Sequence, residues 1–234
     1  QAVTTDDFVK AIEDANDVDL SQFKRWYSQA GTPQLDVATE YDVVRRRYTV
    51  TIKQYCALTP DQQQKQAFHI PVAVGLLDKQ GDALPMQLED ETNPSEAETR
   101  VLSIKEEQQQ FIFINVASEP VLSLLRGFSA PVKANVTRSN AELAFLMAND
   151  SDSFSQWDAG QQLLINVLLQ LTDAAKQGHN LTLPSELVEQ FGRVLDSGTS
   201  SPALVAKMLI LPSENYLAAQ QKPADVDAIH AART

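Results

Sequence analysis

The hydrophobic period of the sequence changes twice, and these changes limit the fold more than any other feature. Residues 1–32 place apolar side chains at helical spacing, residues 33–137 alternate apolar and polar side chains, and helical spacing returns from Ser139. A period of about two residues is typical of half-buried strands, and one of about 3.6 is typical of amphipathic helices. The sequence therefore predicts a mixed all-β plus all-α protein with domains at 1–32, 33–137 and 138–234.

The first domain is expected to be a helical tail. Thr4 or Thr5 can cap a first helix, and Asp19 with Gln22 forms a capping-box pattern for a second. Pro33 prevents the second helix from continuing, after a glycine suited to a helix end. The expected apolar faces are Phe8, Ile12 and Ala15 in the first helix, and Leu20, Phe23, Trp26 and Tyr27 in the second. We expect the second face to pack partly on the strands that follow and partly on polypeptide outside this sequence.

The middle domain is predicted to be an immunoglobulin-like antiparallel β-sandwich. About seven short strands at a spacing of roughly ten residues favour this architecture. The segments begin near Leu35, Tyr48, His69, Ala83, Thr99, Gln109, Leu122 and Pro131. The polar stretches at 59–67 and 89–98 are expected to be solvent-exposed connections.

The last domain is predicted to be a solenoid-like helical region that begins with a capping box at Ser139 and Glu142. Helices are expected at 153–176, 185–195 and 202–211, with a marginal one after Ser213, and the segment SGTSSP at 197–202 separates two of them. The final segment, PADVDAIHAART, begins a helix as the sequence stops, and the first residues, QAVTTDD, contain no methionine. We therefore expect a piece of a longer protein.

Charge and cysteine content limit the partners. The chain has 19 Lys and Arg against 31 Asp and Glu, a net charge of −12. An acidic chain is repelled by phosphate, so nucleic acid and anionic membranes are not expected as partners. The single cysteine, Cys56, favours a reducing, cytoplasmic compartment. The most apolar window, at 163–171, is too short to span a bilayer.

No catalytic, cofactor-binding or metal-binding residue is predicted. The three histidines, His69, His179 and His230, lie in separate segments, and there is no His-Glu-x-x-His sequence. The acidic run at 89–98 lacks the ligand spacing of an EF-hand loop. Cys56 has no histidine near it in sequence, and neither a nucleophile elbow nor a phosphate loop is present.

Two other patterns have weak functional meaning. The basic run Arg45, Arg46 and Arg47 is compatible with docking to an acidic partner or with a charged hairpin edge that prevents aggregation. Possible glycosylation sequences occur at Asn135, Asn149 and Asn180 about as often as chance predicts.

Four motifs together resemble one known family. They are WYSQAGTP at 26–33, HIPVAVGLLD at 69–78, FSAPVK at 128–133 and FLMANDSDSFSQWDAGQQLL at 145–164. In this order they resemble the middle of bacterial aminopeptidase N, a zinc-dependent exopeptidase with a thermolysin-like catalytic domain. The likeness covers nearly the whole chain. Trp157, Asp158 and Gln161 match the family's pattern at the start of its helical domain, whereas Gln156 stands where an arginine is expected.

The resemblance implies a non-catalytic fragment of a zinc metallo-aminopeptidase that removes N-terminal residues from peptides. The fragment would link the catalytic domain to the helical lid domain, its implied partners in the parent chain, and would itself be inactive. In such enzymes a His-Glu-x-x-His helix and a downstream glutamate hold zinc, and no residue here matches them. The alternative is an independent sandwich and helical module that binds a protein or a glycan.

Overall fold

The computed structural model describes residues 2–196 and 202–234, and their contacts divide the chain into two compact units. The first unit comprises the residues up to Val74 together with 85–119 and 129–137. The second comprises 75–84, 120–128 and 138–234. The first unit contains the predicted tail and most of the strands, and the second contains the helices of the C-terminal half.

The N-terminal tail is less helical than predicted. Helix α1 (Thr5–Asn16) begins at the expected cap, where the Thr4 hydroxyl accepts a hydrogen bond from the backbone N–H of Asp7 and the Asp7 carboxylate accepts one from Thr4 N–H. Helix α2 (Arg25–Ser28) has only one turn, so the prediction that all of 1–32 is helical is wrong.

The predicted capping box of the second helix does not form. The Asp19 carboxylate accepts from Ser21, and the Gln22 side chain donates to the carbonyl oxygens of Ala67 and Lys105. Asp19 is therefore bonded within its own turn and Gln22 is bonded to distant backbone, so the two side chains do not form the reciprocal bonds of a capping box.

In the part of the chain that the structure describes, seven strands form two sheets. The strands are β1 (Pro33–Asp42), β2 (Arg47–Cys56), β3 (Ile70–Leu77), β4 (Arg100–Ile104), β5 (Gln108–Phe113), β6 (Val121–Leu124) and β7 (Lys133–Val136). The sheet orders are β5-β2-β1-β7 and β4-β3-β6. The pairs β1–β2, β2–β5 and β3–β4 are antiparallel as predicted, whereas β7 runs parallel to β1.

The predicted strand at 83–88 is not a strand. Its residues form isolated bridges, Leu77 with Ala83, Met86 with Ser95 and Leu88 with Phe113. Pro85 has no N–H to donate to a ladder, so a continuous pairing is interrupted there. Met86 is nevertheless fully buried, which explains why the apolar pattern resembled that of a strand.

The alternation of the strands places their apolar side chains in the core of the first unit. Leu35 on β1, Val50 and Ile52 on β2, Ile70 on β3 and Phe113 on β5 are fully buried. Gly31, just before β1, has φ +98°, and a Cβ there would lie 2.9 Å from Cys56 Sγ, so the entry into β1 requires glycine.

The second unit contains six helices in its described part: α3 (Asn140–Asn149), α4 (Ser153–Lys176), α5 (Ser185–Asp196), α6 (Pro202–Met208), α7 (Glu214–Ala219) and α8 (Val226–Arg233). The Ser139 hydroxyl caps α3 by accepting from Glu142 N–H, as expected, whereas the Glu142 carboxylate pairs with Arg138 at 3.2 Å. Most of the separating segment predicted at 197–202 lies outside the described residues. Leu143, Met147, Leu163, Leu164 and Met208 form the centre of the core. Within the described residues, no helix is both long and apolar enough to cross a membrane.

Candidate functional site

Each of the three histidines has different surroundings. His69 Nε2 lies 2.6 Å from Ser103 Oγ, and His230 Nδ1 lies 2.8 Å from Glu214 Oε1. Burial, and secondarily the charge of Lys105, lowers the pKa of His69. His179 is exposed after the end of α4. Each of these side chains has a local environment of its own.

Cys56 is a half-buried thiol at the end of β2, with its Sγ 3.5 Å from the carbonyl oxygen of Ala30. Among residues 2–196 and 202–234, no group of three or more His, Cys, Asp or Glu side chains could hold a metal ion. The side chains present in this part of the chain therefore do not fit a zinc site of three or four protein ligands.

One ion pair joins the acidic run to the basic run, and other members of each run pair elsewhere. Glu89 forms a 2.6 Å ion pair with Arg47, and both oxygens of Glu91 accept hydrogen bonds from Arg100. Arg45 pairs with Asp42 at 2.9 Å. Two of the acidic residues at 89–98 therefore hold their loop against neighbouring strands.

The possible glycosylation sites differ in their surroundings. Asn135 donates to Asp36 Oδ1 at 2.8 Å and Asn149 donates to the carbonyl oxygen of Phe145 at 2.8 Å. Asn180 is exposed. The first two amides are thus engaged in bonds within the chain.

Trp26 attaches the tail to the sandwich of the first unit. Its ring centroid lies 4.7 Å from that of buried Phe68, and its Nε1 donates to the carbonyl oxygen of His69 at 2.9 Å. Phe23 and Tyr27 contact each other edge-on at 5.9 Å, and Tyr27 remains 57% exposed. Part of the predicted aromatic face therefore packs on the strands, and part faces outward.

Glutamine side chains also join the tail to residues 62–66, and each uses its amide as both acceptor and donor. Gln29 accepts from Gln66 N–H at 2.8 Å and donates to Gln66 O at 2.9 Å. Gln62 accepts from Ala30 N–H at 2.8 Å and donates to Ser28 O at 2.7 Å. We call Gln29, Gln54 and Gln62, with the backbone that they bind, the amide seam.

Gln54 is the buried member of the amide seam. Its side chain is 4% exposed, accepts from Phe68 N–H at 2.7 Å and donates to Phe68 O at 2.8 Å. A primary amide can bond both backbone groups of Phe68 because it has an acceptor oxygen and two donor hydrogens. A buried backbone group without a partner costs about 1–3 kcal/mol, so the Gln54 amide permits Phe68 to remain in the core.

Sequence reasoning did not find the amide seam. The run QQQKQ at 62–66 was expected to be an exposed polar connection, and apolar periodicity gives no information about amide pairing. The glutamine density of this run was the available signal, because one amide can satisfy both backbone groups of a residue.

In the second unit, a buried charged cluster joins the β6 end to the start of α4. Arg126 Nη2 lies 3.4 Å from Asp150 Oδ1, with the side chains 6% and 0% exposed. Arg126 also donates to Ser151 Oγ. Asp152 caps α4 through Ser155 N–H at 2.8 Å and accepts from Gly127 N–H at 3.0 Å. We call these residues the buried joint.

The pKa values of certain carboxyl groups are raised in the second unit and lowered in the first. In the second unit, burial raises the pKa of Asp150 and of Asp158, although hydrogen bonds from Ser123 and Gln162 oppose it. In the first unit the pKa values are lowered by hydrogen bonds to the carboxylates: from Thr4 to Asp7, Ser21 to Asp19, Arg45 to Asp42 and Arg100 to Glu91.

The motif residues on α4 lie inside the helical unit. Trp157 is half-buried, with its ring 5.8 Å from that of Phe154. Asp158 accepts from Gln162 at 2.6 Å, and Gln161 donates to the carbonyl oxygen of Ile210 at 3.1 Å. The Asp158–Gln162 bond lies within α4, and the Gln161 bond joins α4 to the residues that follow α6.

Two family matches divide the sequence. Residues 31–137 match a domain of unknown function described as having an Ig-like fold (DUF3458), and residues 140–234 match a domain described as ARM repeats (DUF3458_C). The predicted sandwich and helical region are therefore confirmed as fold classes.

Three comparisons with individual proteins agree. The chain is 43% identical over 217 residues to aminopeptidase N of Escherichia coli (strain K12), covering 93% of this chain and 24% of that protein. It is 36% identical over 233 residues to aminopeptidase N of Haemophilus influenzae, covering 100% and 26%. A crystal structure of Legionella pneumophila aminopeptidase A in complex with aspartic acid matches with a TM-score of 0.79 at 25% identity, covering 99% and 24%. The chain thus spans about a quarter of the length of the relatives that it matches.

Proposed function

The chain belongs to the aminopeptidase N family, and from this premise we propose that it is a non-catalytic part of a zinc metallo-aminopeptidase that removes N-terminal residues from peptides. In this proposal it links the catalytic domain to the helical lid domain of the parent protein and has no activity of its own. It sets how the helical domain is held near the active site.

The amide seam and Trp26 are the observation that carries this proposal. A segment that links two domains must hold its own parts in fixed positions. Trp26, Gln29 and Gln62 do this for the tail, because they attach it to the sandwich by contacts at several points. We assign residues 1–32 to the end of the catalytic domain, 33–137 to a spacer sandwich and 138–234 to the start of the helical domain.

The separate environments of the three histidines support a structural, non-catalytic role for this chain. His69, His179 and His230 occupy separate environments, so zinc and the residues that activate it are assigned to another part of the parent protein. Peptides are substrates of that parent protein. We place it in the cytoplasm, because a lone half-buried thiol suits a reducing compartment.

A turnover assay tests the proposed inactivity. The purified chain is mixed with zinc and an alanyl fluorogenic substrate, beside an equimolar sample of E. coli aminopeptidase N as the positive control. We expect release at the buffer rate with the chain and rapid release with the control. Turnover by the chain that disappears with a chelator and returns with added zinc would overturn the proposal.

A further inference from the structure

Strand β4 lies at one end of the sheet β4-β3-β6 that the structure describes, so one row of its backbone groups faces away from β3. In an antiparallel pair, alternate residues bond to the partner strand and the others point outward. Ser103 lies opposite Pro71, which has no N–H, so Ser103 belongs to the outward set. Val101 and Lys105, two residues to either side, point outward in the same alternation.

Two glutamine side chains occupy part of this outward row. Gln109 Nε2 donates to Ser103 O at 3.2 Å, and Gln109 Oε1 accepts from Lys105 N–H at 3.1 Å. Gln22 of the tail donates to Lys105 O at 2.6 Å. These bonds agree with the register, because groups bonded to β3 could not face the two amides. The Gln109 amide thus binds the edge as one residue of a neighbouring strand would, since it has both an acceptor and donors.

The remainder of the β4 edge is open. No side chain among residues 2–196 and 202–234 binds the N–H of Ser103 or the N–H and C=O of Val101. The Val101 side chain is 59% exposed, and the strand reads RVLSI, without proline or glycine. An exposed edge of this composition pairs readily with another strand unless something prevents it.

The outward groups specify how β4 of a second copy would pair with this edge. Two identical antiparallel strands centred on Ser103 place Ser103 opposite Ser103 and Val101 opposite Lys105. The two lysines are then not opposite each other, so no like charges face across the pair. Every hydrogen bond of this pair uses Ser103 O, Lys105 N–H or Lys105 O, which are the groups that Gln109 and Gln22 bind.

We propose that Gln109 and Gln22 are edge caps that prevent β4 from pairing with β4 of a second copy. Gln109 has the larger effect, because it binds both Ser103 O and Lys105 N–H, whereas Gln22 binds Lys105 O alone. Removal of the Gln109 amide exposes the two central groups and permits the pair to form. The pair uses the same surface on both copies, so it closes as a two-fold dimer and does not continue into open chains.

Sedimentation velocity of Gln109→Ala over micromolar to millimolar concentrations tests the edge caps. We expect this variant to dimerise at least about tenfold more tightly than the unchanged chain and to form no larger species. The matched control is Gln110→Ala, because the amide of this neighbouring glutamine binds the Thr51 side chain and leaves β4 capped. If Gln109→Ala associates no more than Gln110→Ala, the proposal is overturned.

A second substitution in the Gln109→Ala background identifies the contact. Ser103→Pro removes an N–H that points away from β3, and proline is tolerated at such edge positions. We expect the double variant to be monomeric over the range in which Gln109→Ala dimerises, and circular dichroism checks that it folds. Dimerisation that persists in the folded double variant would reject the assigned edge.

Amide hydrogen exchange provides a measurement that needs no proline. In Gln109→Ala, the N–H groups of Val101 and Ser103 should exchange more slowly as the protein concentration is raised, because they are bonded only in the dimer. In the unchanged chain their exchange should not depend on concentration. Concentration-dependent protection in the unchanged chain, or its absence in Gln109→Ala, would contradict the capping role.

Discussion

The two units of the molecule hold their chain segments together with different chemistry. In the first unit, the amide seam attaches the tail with uncharged groups, and the carboxyls at its caps and turns have lowered pKa values. In the second unit, the buried joint uses the Arg126–Asp150 ion pair, and burial raises the pKa of its carboxyl. Because of this difference, we expect low pH and single mutations to change the stability of the two units in different ways.

The largest expected effect comes from breaking the buried joint. Arg126→Leu leaves the Asp150 carboxylate buried without its cation, which should lower the free energy of unfolding by about 3–5 kcal/mol. Chemical denaturation followed by circular dichroism measures this change. The matched control is Arg45→Leu at the exposed hairpin, expected within about 0.5 kcal/mol of the unchanged chain. Equal losses in the two variants would contradict the joint's importance.

A smaller effect is expected in the amide seam. Gln54→Leu removes the partners of Phe68 N–H and Phe68 O, so we expect a loss of about 1–3 kcal/mol. Gln110→Leu is the control, since its amide is exposed and bonds to Thr51 Oγ at 3.0 Å. The same denaturation experiment compares the two. If Gln54→Leu proves neutral, water or rearranged backbone must satisfy Phe68.

The pH response should distinguish the units. A carboxyl with a raised folded-state pKa destabilises the fold above that pKa, and this destabilisation is relieved as the pH falls. Asp150 and Asp158 follow this sign. For Asp7, Asp19, Asp42 and Glu91 the sign is opposite, and their stabilisation is lost as the pH falls from about 4 through their lowered values.

Asp150→Asn isolates the effect in the second unit. The variant has no buried charge at this position, so its stability relative to the unchanged chain should be greatest at neutral pH and should decline as the pH is lowered toward 4. Denaturation at a series of pH values measures the difference. A difference that is independent of pH would show that the pKa of Asp150 is the same in the folded and unfolded states, which contradicts its being raised by burial.

The sequence predicted elements with a clear apolar period better than contacts made by polar groups. The alternation in β1 and β2 and the helical spacing in α4 identified these elements, because burial of one face sets their period. The length of the second tail helix was overestimated, since nothing in the local sequence indicates that Gln22 bonds to Ala67 and Lys105. The Arg126–Asp150 pair was also missed, because its partners are brought together by the fold.

Attachment of the tail through the amide seam is the claim on which the linking function depends, and hydrogen exchange measures it most directly. The N–H groups of Ala30, Gln66 and Phe68 bond to glutamine side chains, so we predict that they exchange more slowly than the exposed loop amides of Thr92, Asn93 and Glu96. Gln62→Ala should release Ala30 while leaving the Val50 and Ile52 amides of β2 protected. Exchange of Ala30 and Gln66 at the rate of the exposed loop would contradict the attachment.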